Sequence, residues 1–219
     1  MTAHRVVVLR HGRTAHNARR TWQGQLDTPL DAVGLRQAEA AARVLRDLPP
    51  SAIVTSDLMR ASATAAAVSA ASGVPATPDP RLRELDVGTW SGLTRDEITA
   101  AGWGEQLAAW RRGDDLAVGG AERPSELARR GAQALSEHAA GLDGGVLVAV
   151  AHGAVLRTAV LSLLGVEQGR WQSLASLENC AWGVLSPGRS TWRLVAWGLT
   201  APADGDAPST DVKAASESV

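Results

Sequence analysis

Two histidines in this chain each follow an apolar run and precede a glycine. His11 is the next-to-last residue of the stretch "VVVLRHG", directly after Arg10, and His152 is the next-to-last residue of "VLVAVAHG". An imidazole can act as a nucleophile or a proton carrier near neutral pH, and a guanidinium binds an oxyanion through paired hydrogen bonds. Together these residues indicate chemistry on an anion, although a single His-Gly pair is more often part of a turn.

A third apolar run supplies another arginine. The stretch "AIVTS" at 52–56 is followed by Asp57 and, one helical turn later, by Arg60. In an open α/β sheet, ligands bind beyond the carboxyl ends of the strands. We therefore expect this segment and the two His-Gly turns to meet at one sheet edge. The free amides of a helix that begins after Gly153 would add further donors, and such a cationic pocket suits a doubly charged phosphate.

The elements that must position these residues alternate between strands and helices. Apolar runs such as "RVVVL" predict buried strands, and "GLRQAEAAARVLRDL" has the spacing of an amphipathic helix. This alternation predicts an α/β fold, a mostly parallel sheet flanked by helices on both faces in three α/β/α layers. The segments "NCAWGVLS" and "STWRLVAWG" predict a hairpin around "PGRS".

Length and composition predict one domain. The 219 residues are 45% hydrophobic, which is enough for one sizeable core over residues 1–199. From residue 200 to 219 the chain is small, polar and proline-containing, and we expect a disordered tail there.

Charge and cysteine content restrict the partners and the compartment. A net charge of -1 predicts no nucleic acid or anionic membrane as partner. No apolar run approaches the roughly 20 residues of a membrane span, and we expect no secretory segment. The lone Cys180 fits a reducing compartment, so we expect a cytoplasmic protein. The sequence does not fix the oligomeric state, and a homodimer is the assembly we consider.

The remaining three histidines lie outside the two His-Gly turns. We interpret His4 and His138 as structural, while His16 stays open because it lies in a loop near the first turn. No His-x-x-x-His pair or acidic companion occurs near His11 or His152. The sequence therefore predicts no metal site and no cofactor.

Five segments together point to one family. The stretches "LRHGRTAHN", "QGQLDTPLDAVGLRQA", "SDLMRASATA", "LRELDVGTWSGLT" and "VAHG" resemble, in order and spacing, the histidine phosphatase or phosphoglycerate-mutase-like superfamily over residues 5 to about 197. Within it, the "QGQLDTPL" loop and the ending "CAWGVL…TWRLVAWG" look most like actinobacterial glucosyl-3-phosphoglycerate phosphatases.

The resemblance implies roles by position. His11 corresponds to the nucleophile that carries a phosphohistidine, and His152 to the second histidine of the site. Arg10 and Arg60 correspond to phosphate-binding arginines, and the Gly153 amide would help to hold the phosphate oxygens.

Further site residues follow from the same resemblance. Glu84 in "RELDVGTW" corresponds to the proton donor. Asp86 is the competing acid, and alternation alone does not separate the two, but we favour Glu84. Asn17, Gln23 and Gly24 match positions that contact phosphate or substrate, with Asn17 assigned to the phosphate.

The chain departs from the family pattern at two positions. Arg13 stands where the family usually has Glu or Gln, which predicts a more anionic ligand. Ala121 stands where many relatives have the Glu of "GGE", which leaves substrate preference open.

The sequence supports three functional interpretations. The first is a metal-independent phosphomonoester hydrolase acting on a small phosphorylated metabolite, an anionic sugar phosphate such as glucosyl-3-phosphoglycerate. The alternatives are a mutase that returns the phosphate to another hydroxyl, and a non-enzymatic module that binds a phospholigand.

Overall fold

The first strand, β1 (Arg5–Arg10), directs its side chains alternately to the two faces of a sheet. In the computed structural model, which describes residues 2–189 and 191–202, Val6 and Val8 enter one apolar cluster while Val7 and Leu9 enter another. The core therefore lies in two layers, one on each side of the sheet.

The described residues form one six-stranded sheet with the order β3-β2-β4-β1-β5-β6. Pairing is parallel from β3 to β1 and antiparallel at β1–β5 and β5–β6. The predicted mostly parallel sheet and its final hairpin are confirmed. The strands after β1 are β2 (Ala52–Thr55), β3 (Ala76–Pro78), β4 (Val146–Ala151), β5 (Trp182–Pro187) and β6 (Trp192–Leu199).

Helices cover both faces, which confirms the three-layer prediction. Helices α2 and α3 pack on the face of Val7 and Leu9, and α6 and α7 on the face of Val6 and Val8. The helices are α1 (Ala15–Arg19), α2 (Ala32–Leu45), α3 (Met59–Ser72), α4 (Arg95–Ile98), α5 (Gly104–Arg112), α6 (Pro124–Ala140) and α7 (Gly153–Leu163). Short 3₁₀ turns span Pro80–Leu82, Gly88–Trp90, Val118–Gly120 and Gln168–Ser173.

Two local features differ from the sequence expectation. Strand β3 has only three residues and includes Pro78, so its pattern gives no strand signal. The segment "EITAAG" spans the end of α4 and a π-helical turn, Thr99–Trp103, because Gly102 adopts a φ of 90° that interrupts the helix.

The strand register brings the predicted site residues to one edge. Arg10 lies opposite Ala151 in the β1–β4 pair, so His11 and His152 follow at equivalent positions. Thr55 lies opposite Val150, so the segment after β2 reaches the same edge. The expected meeting of the three strand ends is confirmed.

The turn after β1 packs directly on the first turn of α2. A Cβ on Gly12 would lie 2.4 Å from the Gly34 carbonyl oxygen, and a Cβ on Gly34 would lie 2.1 Å from that of Arg13. Only glycine allows this backbone approach, which holds the turn carrying His11 against a rigid helix.

No helix within residues 2–189 and 191–202 is both long and apolar enough to cross a membrane. The predicted disordered tail falls outside the described residues except for 200–202.

Candidate active site

An open cleft of about 240 Å³ lies beyond the carboxyl ends of β1 and β4. Its aromatic wall is formed by Trp22 and Trp110, whose rings meet edge to face with centroids 4.8 Å apart. The cleft is lined by eight of the nine residues that the sequence singled out: Arg10, His11, Asn17, Gln23, Gly24, Arg60, Glu84 and Gly153.

His11 presents a neutral ring nitrogen to this cleft. Its Nδ1 lies 2.7 Å from the Gly12 carbonyl oxygen, which can only accept, so Nδ1 carries the proton and Nε2 keeps its lone pair. Burial lowers the pKa of His11 well below the ordinary 6.5, and the charges of Arg60 and Arg10 lower it further. The imidazole therefore keeps a free lone pair on Nε2 at neutral pH.

Arg60 is held by all three arms of its guanidinium group. Nε donates to His152 Nδ1 at 3.1 Å, Nη1 to the Leu26 carbonyl at 2.7 Å, and Nη2 to the Gly24 carbonyl at 2.8 Å. Burial lowers the pKa of Arg60 to about 10, so it remains charged at neutral pH. The site therefore contains a fixed positive charge.

His152 lies behind the cleft and does not line it. Because its Nδ1 accepts from Arg60, its Nε2 carries the proton and donates to Ser56 Oγ at 2.9 Å. The ring is fully buried, with its centroid 5.1 Å from that of His11. Burial, then the charge of Arg60, lowers the pKa of His152 well below 6.5. In this structure His152 positions Arg60, and its contact with phosphate stays a prediction.

Arg10 brings an unpartnered donor to the cleft. Its Nη1 donates to the Leu177 carbonyl, while its buried Nε has no hydrogen-bond partner among the described residues. Gly153 packs against this guanidinium, since a Cβ there would lie 3.5 Å from Arg10 Nε. Buried donors are nearly always satisfied in proteins, so this Nε is a donor for which the described residues supply no acceptor.

The amides of Asn17 and Gln23 are oriented by a threonine that sequence reasoning missed. Thr14 is fully buried, and its hydroxyl lies 3.0 Å from both Asn17 Oδ1 and Gln23 Oε1. The Thr14 amide also donates to Asn17 Oδ1 at 3.0 Å, and Thr28 Oγ1 donates to Gln23 Oε1 at 2.9 Å, so both side-chain oxygens are engaged and each NH₂ group is left for the cleft. The signal was available, because Thr-x-x-Asn has the spacing of the capping box that starts α1.

The Glu84 carboxylate lies at the N-terminus of α7. Its Oε2 accepts from the Ala154 amide at 3.0 Å, and its Oε1 from the Val155 amide at 3.1 Å and the Leu85 amide at 2.9 Å. These contacts fix a carboxylate at the wall of the cleft that His11 also lines. They also occupy two of the amides expected for phosphate, which leaves the Gly153 N–H of the first turn. Asp86, the competing acid, does not line the cleft and accepts from the Gly88 amide.

A half-buried ion pair fixes the segment that carries Glu84. Arg130 on α6 donates to the carbonyl oxygens of Arg81, Arg83 and Glu84, and it pairs with Glu122 at 2.6 Å. We name this pair the Arg130–Glu122 clamp. The clamp was missed by sequence reasoning because the residues it joins are far apart in the chain and no periodicity connects them.

The structure also clarifies the two departures from the family pattern. Arg13 does not line the cleft and is paired with Asp31 at 2.9 Å, so its charge does not face a ligand there. Ala121 is followed by Glu122, whose Oε2 accepts from the Asp86 amide at 3.0 Å. A glutamate thus lies one residue later and acts through the clamp.

Three further residues singled out in the sequence lie outside the cleft. Asp57 is paired with Arg83, and His138 Nε2 lies 3.0 Å from Asp79 Oδ2, as a structural histidine would. His16 Nδ1 lies 2.7 Å from Thr21 Oγ1, and Thr21 itself lines the cleft.

Comparison with known proteins identifies the family. The sequence profile of the Histidine phosphatase superfamily (branch 1) matches residues 6–200. The chain belongs to the histidine phosphatase superfamily.

Relatives in this superfamily match along almost their whole length. The chain is 39% identical to a glucosyl-3-phosphoglycerate phosphatase of Mycolicibacterium vanbaalenii, with 94% of this chain and 99% of that protein covered. It is 34% identical to a probable phosphoglycerate mutase of Yersinia enterocolitica, with 94% and 97% covered. A solved mycobacterial glucosyl-3-phosphoglycerate phosphatase in complex with VO3 aligns with a TM-score of 0.85 at 38% identity, over 90% of this chain and all of that one.

The two buried histidines should carry opposite tautomers and stay neutral at pH 6.5. An imidazole of ordinary pKa is about half protonated at that pH, whereas the lowered pKa values of His11 and His152 preserve the neutral form. Imidazole ¹⁵N NMR, assigned by the signals lost in His11→Gln, should show the Nδ1–H tautomer for His11 and the Nε2–H tautomer for His152. A half-protonated His11 would contradict the geometry described above.

Proposed function

We propose that the protein is a metal-independent phosphomonoester hydrolase that works through a phosphohistidine on His11. One observation carries this proposal: the neutral Nε2 of His11 faces a cleft that contains Arg10 and Arg60, with the Glu84 carboxylate fixed at its wall. Nucleophile, cationic oxyanion site and acid are the three parts that phosphoryl transfer through an enzyme intermediate requires.

In the first step, a bond forms between His11 Nε2 and phosphorus while the phosphorus–oxygen ester bond breaks. Arg10, Arg60 and the Gly153 amide hold the non-bridging oxygens, and the amide groups of Asn17 and Gln23 add neutral donors. Protonated Glu84 gives its proton to the departing alkoxide. Nδ1 of His11 keeps its hydrogen bond to Gly12, so the ring does not rotate during attack.

In the second step, water attacks the phosphohistidine. Glu84, now ionised, takes a proton from that water, and inorganic phosphate leaves as the His11 lone pair is restored. Such acid–base assistance typically contributes about 10²- to 10⁴-fold in rate.

Fixed arginines take the electrostatic part that a metal ion has in other phosphoryl-transfer enzymes. In the part of the chain that the structure describes, no three His, Cys, Asp or Glu side chains are grouped to hold a metal ion. Turnover without a metal therefore belongs to the proposal and is tested below.

The position of the loop between α5 and α6 favours hydrolysis over a mutase reaction. A mutase must keep water from its phosphoenzyme, which requires a cover over the cleft. The loop between α5 and α6 is the candidate cover, but none of residues 113–122 lines the cleft. Thr89 Oγ1 donates to the Gly119 carbonyl at 3.1 Å, and Gln106 also binds the loop, so it is fastened to neighbouring elements.

The substrate we propose is a small anionic sugar phosphate, with glucosyl-3-phosphoglycerate as the first candidate. The relatives named for that activity support this choice. The aromatic wall of Trp22 and Trp110 offers an apolar face to the C–H side of a sugar ring. We further propose a cytoplasmic location, consistent with the single, buried and unpaired Cys180. A homodimer stays a prediction.

Phosphate release should outrun isomerisation. We expect inorganic phosphate from glucosyl-3-phosphoglycerate, and little interconversion of 3- and 2-phosphoglycerate even with the bisphosphate present. EDTA should leave turnover intact, and His11→Ala should lower kcat by about 10³-fold or more, because it removes the nitrogen that attacks phosphorus. Phosphate release and isomer ratio are measured in the same reaction.

His4→Ala serves as the matched control, since it removes an exposed histidine outside the cleft. Isomerisation faster than phosphate release would replace the hydrolase with a mutase. Loss of turnover on chelation, restored by a divalent ion, would refute the metal-free site.

The Arg130–Glu122 clamp should matter most for substrates whose leaving group needs a proton. Arg130→Gln loosens the segment that carries Glu84, so turnover of an alkyl phosphate should fall about 10- to 100-fold, within the range that acid catalysis supplies. p-Nitrophenyl phosphate should lose less, because its leaving group departs without protonation.

Arg129→Gln, which removes the adjacent exposed arginine, is the control for charge and helix position. Equal losses on the two substrates in Arg130→Gln would show that the clamp supports the fold without positioning the acid.

A further inference from the structure

Arg157 places a guanidinium group in the cleft without an ionic partner. It lies on α7 one turn after Gly153, and both line the cleft. Its buried Nε has no acceptor among the described residues, and its Nη1 reaches only Gln172 Oε1 at a long 3.5 Å. No described carboxylate oxygen lies within 4.0 Å of it.

Three nearby arginines, in contrast, have ion-pair or hydrogen-bond partners. Arg83 is paired with Asp57, Arg130 with Glu122, and Arg60 has an acceptor for each arm of its guanidinium group. A half-buried charge without such partners is costly unless another anion compensates it. Burial lowers the pKa of Arg157, and the charge of Glu84 opposes that shift only in part.

The position of Arg157 relative to Glu84 indicates which part of a substrate it meets. Glu84 binds the second and third amides of α7, and Arg157 follows them by two to three residues, about 3 to 4.5 Å further along the helix axis. Glu84 is also the group that protonates the leaving-group oxygen. Arg157 is therefore on the leaving-group side of the scissile bond, away from the arginines that hold the phosphoryl oxygens.

The surroundings leave room for a substituent there. Arg157 lies where the cleft meets a smaller side pocket, and Leu85, Trp110 and Ala154 border both spaces. A group bound at this junction would contact Arg157 from the open side.

We propose that Arg157 is a specificity-determining residue that binds a carboxylate on the leaving group of the substrate. The inference rests on the proposed function and narrows its substrate class to phosphate esters of small hydroxy acids. A guanidinium group offers two parallel N–H donors to the two oxygens of a carboxylate, and Nε and Nη2 of Arg157 make no hydrogen bond to a described residue.

The test compares two esters that differ only in this group. 3-Phosphoglycerate carries the carboxylate, and glycerol 3-phosphate has a hydroxymethyl group in its place. In Arg157→Gln, the ratio of kcat/KM for the first ester to that for the second should fall about 10- to 100-fold, as expected for a lost charged hydrogen-bonded pair. Arg157→Lys keeps the positive charge but lacks the two parallel N–H donors, so it should retain part of the preference for 3-phosphoglycerate.

Arg129→Gln is the matched control, because it removes the same charge from an exposed position on α6 that does not line the cleft. A ratio unchanged in Arg157→Gln, with both esters hydrolysed, would overturn the inference and leave the proposed hydrolase standing.

A binding measurement separates the inference from turnover. In the His11→Ala background, titration calorimetry should show tighter binding of 3-phosphoglycerate than of glycerol 3-phosphate, and Arg157→Gln should remove that difference. If the wild-type protein released phosphate from neither ester nor from glucosyl-3-phosphoglycerate while this difference persisted, the proposed function would fail and the carboxylate site would stand. Equal affinities for the two esters with Arg157 intact would refute the site itself.

Discussion

The parallel pairing of β1 with β4 is the constraint on which the rest of the site depends. Arg10 lies opposite Ala151, so the two strands deliver His11 and His152 side by side. A shift of one residue would reverse which side chains face each layer of the core, and the apolar runs on both strands forbid it. The fold thus fixes two imidazoles at contact distance before any ligand binds.

This arrangement decides the charge state of the site. Two arginines and two histidines share a buried region, and burial favours the neutral form of both rings. At neutral pH the arginines remain charged and the imidazoles do not, so in the proposed mechanism electrostatic binding and nucleophilic attack fall to different residues. The Glu84 carboxylate accepts hydrogen bonds from two backbone amides at the start of α7, and this helix directly follows β4.

The hydrophobic periodicity of the sequence predicts most of the fold, and the residues that follow the strands predict the centre of the site. The continuous apolar runs of β1 and β4 predict buried parallel strands, and the residues after them line the cleft or lie directly behind it. Glu84 needed the family resemblance, because alternation alone did not separate it from Asp86. The predicted disorder of the tail and the homodimer stay predictions.

The residues that sequence reasoning missed act through contacts that no local pattern encodes. Arg130 reaches the carbonyl of Glu84 across 46 positions of sequence. Arg157 looks like an ordinary polar position of an otherwise apolar helix until the cleft beside it is seen. Thr14 is the exception, since its capping spacing could have been read from the sequence.

The central claim is that the neutral Nε2 of His11 attacks phosphorus, and the site of phosphorylation tests it most directly. The phosphoenzyme is trapped by rapid quenching at alkaline pH, and its position is determined by peptide mass spectrometry and ³¹P NMR. We predict a single phosphohistidine at residue 11, with phosphorus on Nε2, because Nδ1 is held by the Gly12 carbonyl. Phosphorus on Nδ1, on His152 or on any other residue would contradict the account.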